Sequence, residues 1–254
     1  PTSGILRVRS ELTNEPEPRD GVKALSYWNS YQYFNIWTLK KFQPQDDGNT
    51  LLGYAQFPES GRMSTDGVVL LASQMVSGGT LTHEVGHWLG LRHTWGDAVC
   101  GDDNVKDTPP QREPNFGINL SDFPYHVGFM SQGCVADSLN PAGEMFVNYM
   151  DYSSDAHVTM FTKGQNEVMN ETLEGIYDED AGISGIGFRE YMWSVDNIDL
   201  SGVADGFVTP TCNQNTDFVS SSGKYSMCLG ENIVLKGNKT QFPSGTVSSM
   251  IWDY

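Results

Sequence analysis

The 254-residue chain contains no apolar run of 18 or more residues, which excludes a transmembrane helix. Basic side chains are scarce: 15 Lys and Arg stand against 32 Asp and Glu, a formal net charge of −17. A surface that acidic repels phosphate backbones and argues against nucleic-acid partners. It is compatible with a secreted protein, with cationic substrates or with bound divalent cations. There is no initiating Met followed by a charged start and an apolar stretch; the chain opens at Pro1-Thr2-Ser3-Gly4, so a signal peptide or pro-segment is expected to have been removed already. Cysteine is sparse as well. Cys100, Cys134, Cys212 and Cys228 show no C-x-x-C spacing and allow three connectivities. Local pairing, Cys100–Cys134 and Cys212–Cys228, is the simplest; four reduced thiols are the alternative. What the chain does have is 38% hydrophobic and 11% aromatic residues, enough apolar material for a packed core and too much for wholesale disorder.

Three segments read as short strands. Tyr33–Leu39 mixes aromatic and β-branched residues, Leu51–Phe57 follows the turn at 45–49 and ends before Pro58, and Gly67–Leu71 is apolar enough to be central. A helical period runs from Leu81 to Leu89, with Thr80 or Thr82 as its expected cap and Gly90 as its stop. From Leu91 to Asn148 the chain is polar and turn-rich, a length that marks a functional or cross-linked loop region. A second helix is expected over Thr162–Leu173, with Val168, Met169 and Leu173 on one face. Beyond it the acidity concentrates: residues 171–206 carry nine acidic and one basic residue, nearly half of the net charge. That pattern describes a solvated or calcium-organised connector better than a cationic-substrate surface.

The chemistry sits in His83-Glu84-Val85-Gly86-His87-Trp88-Leu89-Gly90-Leu91-Arg92-His93. Four helical residues advance about 400° and about 6 Å, so His83 and His87 leave one helix face within reach of a single metal ion. Glu84 follows the first ligand and can approach the metal's open position without binding it. Gly90 can adopt positive φ, end the helix and turn the chain so that His93 returns as third ligand. Three neutral imidazoles with a fourth position left to water make a catalytic zinc arrangement rather than a structural one. Only five histidines occur in the chain, and three of them fall inside this window, which argues against a chance surface helix. Asn148-Tyr149-Met150-Asp151-Tyr152 supplies the second element, a methionine turn 57 residues after His93, in which Met150 is expected to pack beneath the metal site.

These two segments resemble the metzincin metallopeptidases, and within them the pappalysin family. Tyr33–Trp37, Leu52–Pro58, Asp66–Val69, Asp107–Gln111 and Met160–Gln165 extend the likeness over roughly residues 20–175. The resemblance implies an α+β fold: a twisted, mostly parallel sheet with an active-site helix, then a loop-rich lower subdomain with the methionine turn and a C-terminal helix. It implies a secreted zinc endopeptidase acting on protein or peptide substrates and held latent by an N-terminal pro-segment. Glu84 would be the general base toward a zinc-bound water, and Tyr152 would stabilise the tetrahedral intermediate; a packed core tyrosine is the alternative for Tyr152. The resemblance also supports structural calcium in the loop 97–108, at Asp103, Asp107 and Thr108, over a merely solvated acidic loop. His126 and His157 are expected to be loop or core residues, since the zinc triad is complete without them. Asp155 is a candidate wall of the pocket for the residue after the scissile bond, where a carboxylate would favour Arg or Lys.

The expected organisation is a catalytic domain over 1–195, an acidic linker over 196–206 and an incomplete β-sandwich-like segment over 207–254. That last segment resembles the opening strands of a PKD-like or immunoglobulin-like domain, which needs about 80–100 residues to close. The competing function, a zinc-containing binding or adhesion module without turnover, would be favoured by loss of Glu84, and Glu84 is present.

Overall fold

The structure, a computed structural model, describes residues 4–46, 48–76, 78–123, 143–174 and 186–201. The chain divides into a unit spanning Leu6–Met192 and a second one formed by Pro1–Ile5 with Trp193–Tyr254. In the second unit the described residues include a short helix, Val195–Ser201, at the start of the segment expected to be a linker. Residues 207–254, with Cys212 and Cys228, lie outside the described residues, as do Cys134 and His126.

The larger unit is built on a three-stranded sheet. β1 (Ile36–Leu39), β2 (Gly53–Ala55) and β3 (Val68–Leu71) are ordered β1-β3-β2. β1 runs parallel to β3 with Ile36 opposite Val68, and β2 runs antiparallel to it with Gly53 opposite Leu70. β3 is central because it is apolar on both faces, and both are covered. Val69 joins Val22, Trp37, Leu39 and Phe42 on one side. Val68 and Leu70 pack on the other against Trp88 and Leu89 of the first long helix, with Met169 and Leu173 of the second helix alongside.

The first helix, α1 (Gly79–Trp88), follows β3 after a single 3-10 turn, Ala72–Met75. It starts two residues before the expected region. Its N-cap is Gly78 in the left-handed conformation (φ 81°), with no side-chain cap. The two threonines expected to cap it do other work. Thr82 lies inside the helix and donates back to the Gly78 carbonyl (2.8 Å), while Thr80 donates to Gln74 (3.0 Å). The stop is as expected: Gly90 has φ 92°, and the Gly90 and Leu91 amides donate to the carbonyls of His87 (2.9 Å) and Gly86 (2.9 Å). This is the reciprocal pair of bonds that closes a helix through a left-handed glycine.

The second helix, α2 (Lys163–Glu174), buries Gln165 and Thr172. Gln165 locks the methionine turn from below: Asn148 Nδ2 donates to its Oε1 (2.7 Å), and its Nε2 donates to Asn148 Oδ1 (3.2 Å). The described part of the chain after α2 includes a 3-10 helix, Ile186–Trp193. The whole is the mixed α+β architecture expected from the sequence.

Candidate metal centre

α1 presents His83, Glu84 and His87 into the unit's interior, where all three are buried. The turn at Gly90 brings His93 back to them. Each imidazole spends its Nδ1 on a fixed acceptor. The partner of His83 is the Tyr149 carbonyl (2.6 Å), that of His87 the Leu91 carbonyl (2.8 Å), and that of His93 the Asp97 carboxylate (2.6 Å). Carbonyl and carboxylate oxygens only accept, so each Nδ1 carries the hydrogen and each Nε2 offers a lone pair.

Those three lone pairs converge. His93 Nε2 lies 3.3 Å from His83 Nε2 and 3.0 Å from His87 Nε2. Three acceptors facing one another without a proton repel, and a cation between them resolves the conflict. Zinc bound tetrahedrally at about 2.0–2.1 Å holds its nitrogens roughly 3.3–3.4 Å apart, close to the spacing seen. Among the described residues, His83, His87 and His93 are the group of three whose ligand atoms gather within 4.8 Å. Burial holds all three imidazoles below the ordinary histidine range, helped at His83 and His87 by repulsion from neighbouring imidazoles and opposed at His93 by Asp97; His87 falls to about 4, so the three stay neutral and able to ligate near pH 7.

Glu84 is 6% exposed, and burial pushes its carboxyl up to about 8. It lies against β2 at Gly53, where a Cβ would stand 3.0 Å from Glu84 Cγ and 3.1 Å from its Oε1. Gly53 is therefore part of the site, and nothing in its sequence context shows it: a glycine in a strand carries no chemical label. The acceptors Tyr149, Leu91 and Asp97 escape sequence reading too, because two act through backbone carbonyls.

Met150 is fully buried, and its sulfur lies under Gly86 of α1, 2.5 Å from where a Cβ would be. The same turn supplies the Tyr149 carbonyl to His83, so it supports the centre from two sides. Asp151 fastens it to the loop before it, accepting from Gln111 Nε2 (3.0 Å) and from Asn115 N (2.9 Å) and Nδ2 (2.8 Å). Tyr152 stands beside the imidazoles, 42% exposed, with its ring 5.0 Å from that of His93 and 5.6 Å from that of His83. Burial and the negative charges of Glu84, Asp97 and Asp151 raise its phenol to about 12, so it keeps its proton. Trp95 stacks flat on His93 at 4.2 Å.

The remaining expected residues are placed as follows. Asp103 Oδ1 accepts from the Thr108 hydroxyl and from the Val105 amide (3.0 Å). Asp107 points elsewhere: its carboxylate accepts from Thr162 Oγ1 (2.7 Å) and the Gly164 amide (2.9 Å), capping the start of α2. Asp155 lies against the first residue of α1, its Oδ1 2.4 Å from where a Cβ on Gly79 would be. His157 bonds Ser154 Oγ (2.8 Å). Cys100 is in a disulfide.

A helix that gathers three histidines, packed on a small mixed sheet with a methionine turn beneath it, defines a metallopeptidase fold of the metzincin type. The chain belongs to the peptidase M43 family, described as pregnancy-associated plasma protein-A, whose model matches residues 19–174. Its curated relatives include extracellular metalloprotease 1 of Coccidioides posadasii, 34% identical over 183 residues covering 65% of this chain and 59% of that protein. Another is an extracellular metalloprotease of Verticillium alfalfae, 41% identical over 155 residues covering 54% of this chain and 48% of that protein. This chain thus spans between about half and three fifths of these relatives' length. Among solved structures, mature mirolysin of Tannerella forsythia in complex with a cleaved peptide matches with 38% identity and a TM-score of 0.57, over 75% of this chain and 69% of that one. A promirolysin mutant from the same organism matches with 37% identity and a TM-score of 0.58, over 75% of this chain and 61% of that one.

Proposed function

We propose that the chain is the catalytic part of a secreted zinc-dependent endopeptidase. One observation carries the reading: His93 Nε2 lies 3.3 Å and 3.0 Å from the Nε2 atoms of His83 and His87, while every Nδ1 is spent on an acceptor. The names of the relatives, extracellular metalloproteases, support the location and the reaction class. Zinc, when bound by His83, His87 and His93, supplies Lewis acidity to a carbonyl oxygen and to a water.

The chain's own residues do the rest. Glu84 takes a proton from the attacking water and delivers it to the leaving amine nitrogen; its buried position keeps its proton affinity near the working pH. Tyr152, protonated and standing over the histidines, donates to the oxyanion that forms on the scissile carbonyl. Met150 and Asp97 hold the ligand set, the first from beneath α1 and the second through His93. Asp155 serves as the pocket carboxylate that favours Arg or Lys after the scissile bond, a preference a peptide library would reveal. A pro-segment, as the name of the promirolysin relative suggests, precedes activation.

A structural calcium ion on the loop 97–108 completes the reading, supported by Asp103 Oδ2, which is buried without a hydrogen-bond partner. A thermal shift with Ca²⁺ and none with Mg²⁺ is expected; equal response to both would remove this part. The main test is Glu84→Gln. Casein hydrolysis should vanish in that variant and in chelated wild type, while the variant keeps one zinc per chain. Chelator-insensitive cleavage, or wild-type activity in Glu84→Gln, would overturn the proposal.

A further inference from the structure

The exit from α1 decides whether His93 meets the other two histidines, and five of its carbonyls, those of Gly86, His87, Trp88, Leu89 and Leu91, have hydrogen-bond donors. Those of Gly86 and His87 are closed by the Leu91 and Gly90 amides, and that of Leu91 receives His87 Nδ1. Those of Trp88 and Leu89 take side-chain donors from far along the chain. Thr172 of α2 is 4% exposed and donates its hydroxyl to the Leu89 carbonyl (2.9 Å). Arg189, fully buried, donates through Nη1 to the Trp88 carbonyl.

Arg189 is itself held from several directions. Its Nη2 donates to Asp66 Oδ1 (2.8 Å), and its guanidinium stacks over the Trp88 indole at 4.0 Å. The same indole donates to Asp66 Oδ1 and Oδ2, both at 3.2 Å. Trp88, the residue after the ligand His87, is thus gripped through both its backbone and its ring by one ion pair. Thr172 also limits the bend: a Cβ on Gly90 would stand 3.1 Å from its Oγ1.

We propose that Thr172 and Arg189 are positioning residues for the metal site, fixing the Trp88–Leu91 turn and so the return of His93 to His83 and His87. The proposal rests on the reading of those histidines as zinc ligands. Neither residue touches the metal-binding nitrogens. Both act through the backbone of the turn, whose Leu91 carbonyl is taken by His87 itself (2.8 Å). Cations and hydroxyl donors at a helix C-terminus ordinarily add only stability. Here the carbonyls they hold belong to the link between the second ligand and the third, so ligand geometry follows with stability.

The test measures zinc affinity by chelator competition, and the visible absorption of the Co²⁺-substituted full chain. It compares wild type with Thr172→Val, Thr172→Ser and Arg189→Lys. Leu39→Ala serves as a control that loosens the opposite face of the sheet. Thr172→Val and Arg189→Lys should each weaken zinc about tenfold and alter the Co²⁺ spectrum, as loss of outer-shell support does. Thr172→Ser, which keeps the hydroxyl, should stay within about twofold of wild type. Leu39→Ala should lower Tm and leave affinity and spectrum unchanged. Should Arg189→Lys fail to fold, the Thr172→Val and Thr172→Ser pair decides. Unchanged affinity in Thr172→Val, or a loss no larger than in Leu39→Ala, overturns the positioning role alone. A wild type that binds no zinc overturns the zinc reading, and this proposal with it.

Discussion

Replacing Gly53 by Ala adds one methyl group at the point where β2 meets the proposed general base. That methyl would stand 3.0 Å from Glu84 Cγ, 3.1 Å from its Oε1 and 3.2 Å from the Val69 carbonyl. Ordinary carbon contacts begin near about 3.5 Å, so roughly half an ångström must be found. The Val69 carbonyl belongs to the central strand, and β2 is tied to that strand on both sides of Gly53 by the Leu71–Leu52 hydrogen bond and the pairing of Tyr54 with Val69. The side chain of Glu84 is the neighbour free to yield. Displacing a catalytic group by about 1 Å costs on the order of a hundredfold, so a loss of about 10–100-fold in kcat is expected, or about 1.4–2.7 kcal/mol in the barrier. Zinc content should stay at one per chain, since no ligand is pushed, and Tm should fall only slightly. The assay is steady-state hydrolysis of a fluorogenic peptide, with metal analysis and a melting curve on the same preparation. A kcat within twofold of wild type would refute the reasoning, as would loss of zinc in step with activity.

Other perturbations separate the remaining parts of the centre. Tyr152→Phe removes a donor without moving a ligand and should lower kcat by about a hundredfold at constant zinc content, read from the same peptide assay. Asp97→Ala frees the Nδ1 of His93; because the Asp97 side chain is 66% exposed, water replaces it in part, and zinc affinity should fall by only about tenfold in a chelator competition. Asp107 gives a pH signature. Its slight burial would raise its carboxyl, but the bonds from the Gly164 amide and the Thr162 hydroxyl win and hold it below the ordinary value of 3.8. A group with a depressed folded-state value stabilises above that ordinary value and ceases to do so as the pH falls through its own. The difference in urea midpoint between wild type and Asp107→Asn should therefore be full at pH 6 and shrink toward pH 3; a constant difference would show that the cap is not ionic.

Much of the centre was legible because its signals are local. A spacing of four places two imidazoles on one helix face, and Gly90 ends the helix by its backbone freedom; both are consequences of helical geometry over eleven residues. The three strands were found with ragged ends: Tyr33–Leu39 was expected where pairing covers Ile36–Leu39, because side-chain pattern does not say where hydrogen bonds stop. The start of α1 was read two residues late, since Gly78 begins the helix by conformation rather than by a capping side chain. That Asp107 caps the open end of α2 was not legible, because no loop pattern reveals the approach of that donor set.

The sequence by itself determined which three histidines converge and which glutamate lies beside them, because helical periodicity and one glycine suffice to bring those atoms near one another. Only the tertiary structure decided what holds them there. Tyr149 reaches His83 across 66 positions, Thr172 reaches Leu89 across 83, and Arg189 reaches Asp66 across 123. Contacts at such separations have no period along the chain, and several are made by backbone carbonyls or by the absence of a side chain at Gly53 and Gly86. They exist only once the sheet, α1, the methionine turn and α2 have packed together.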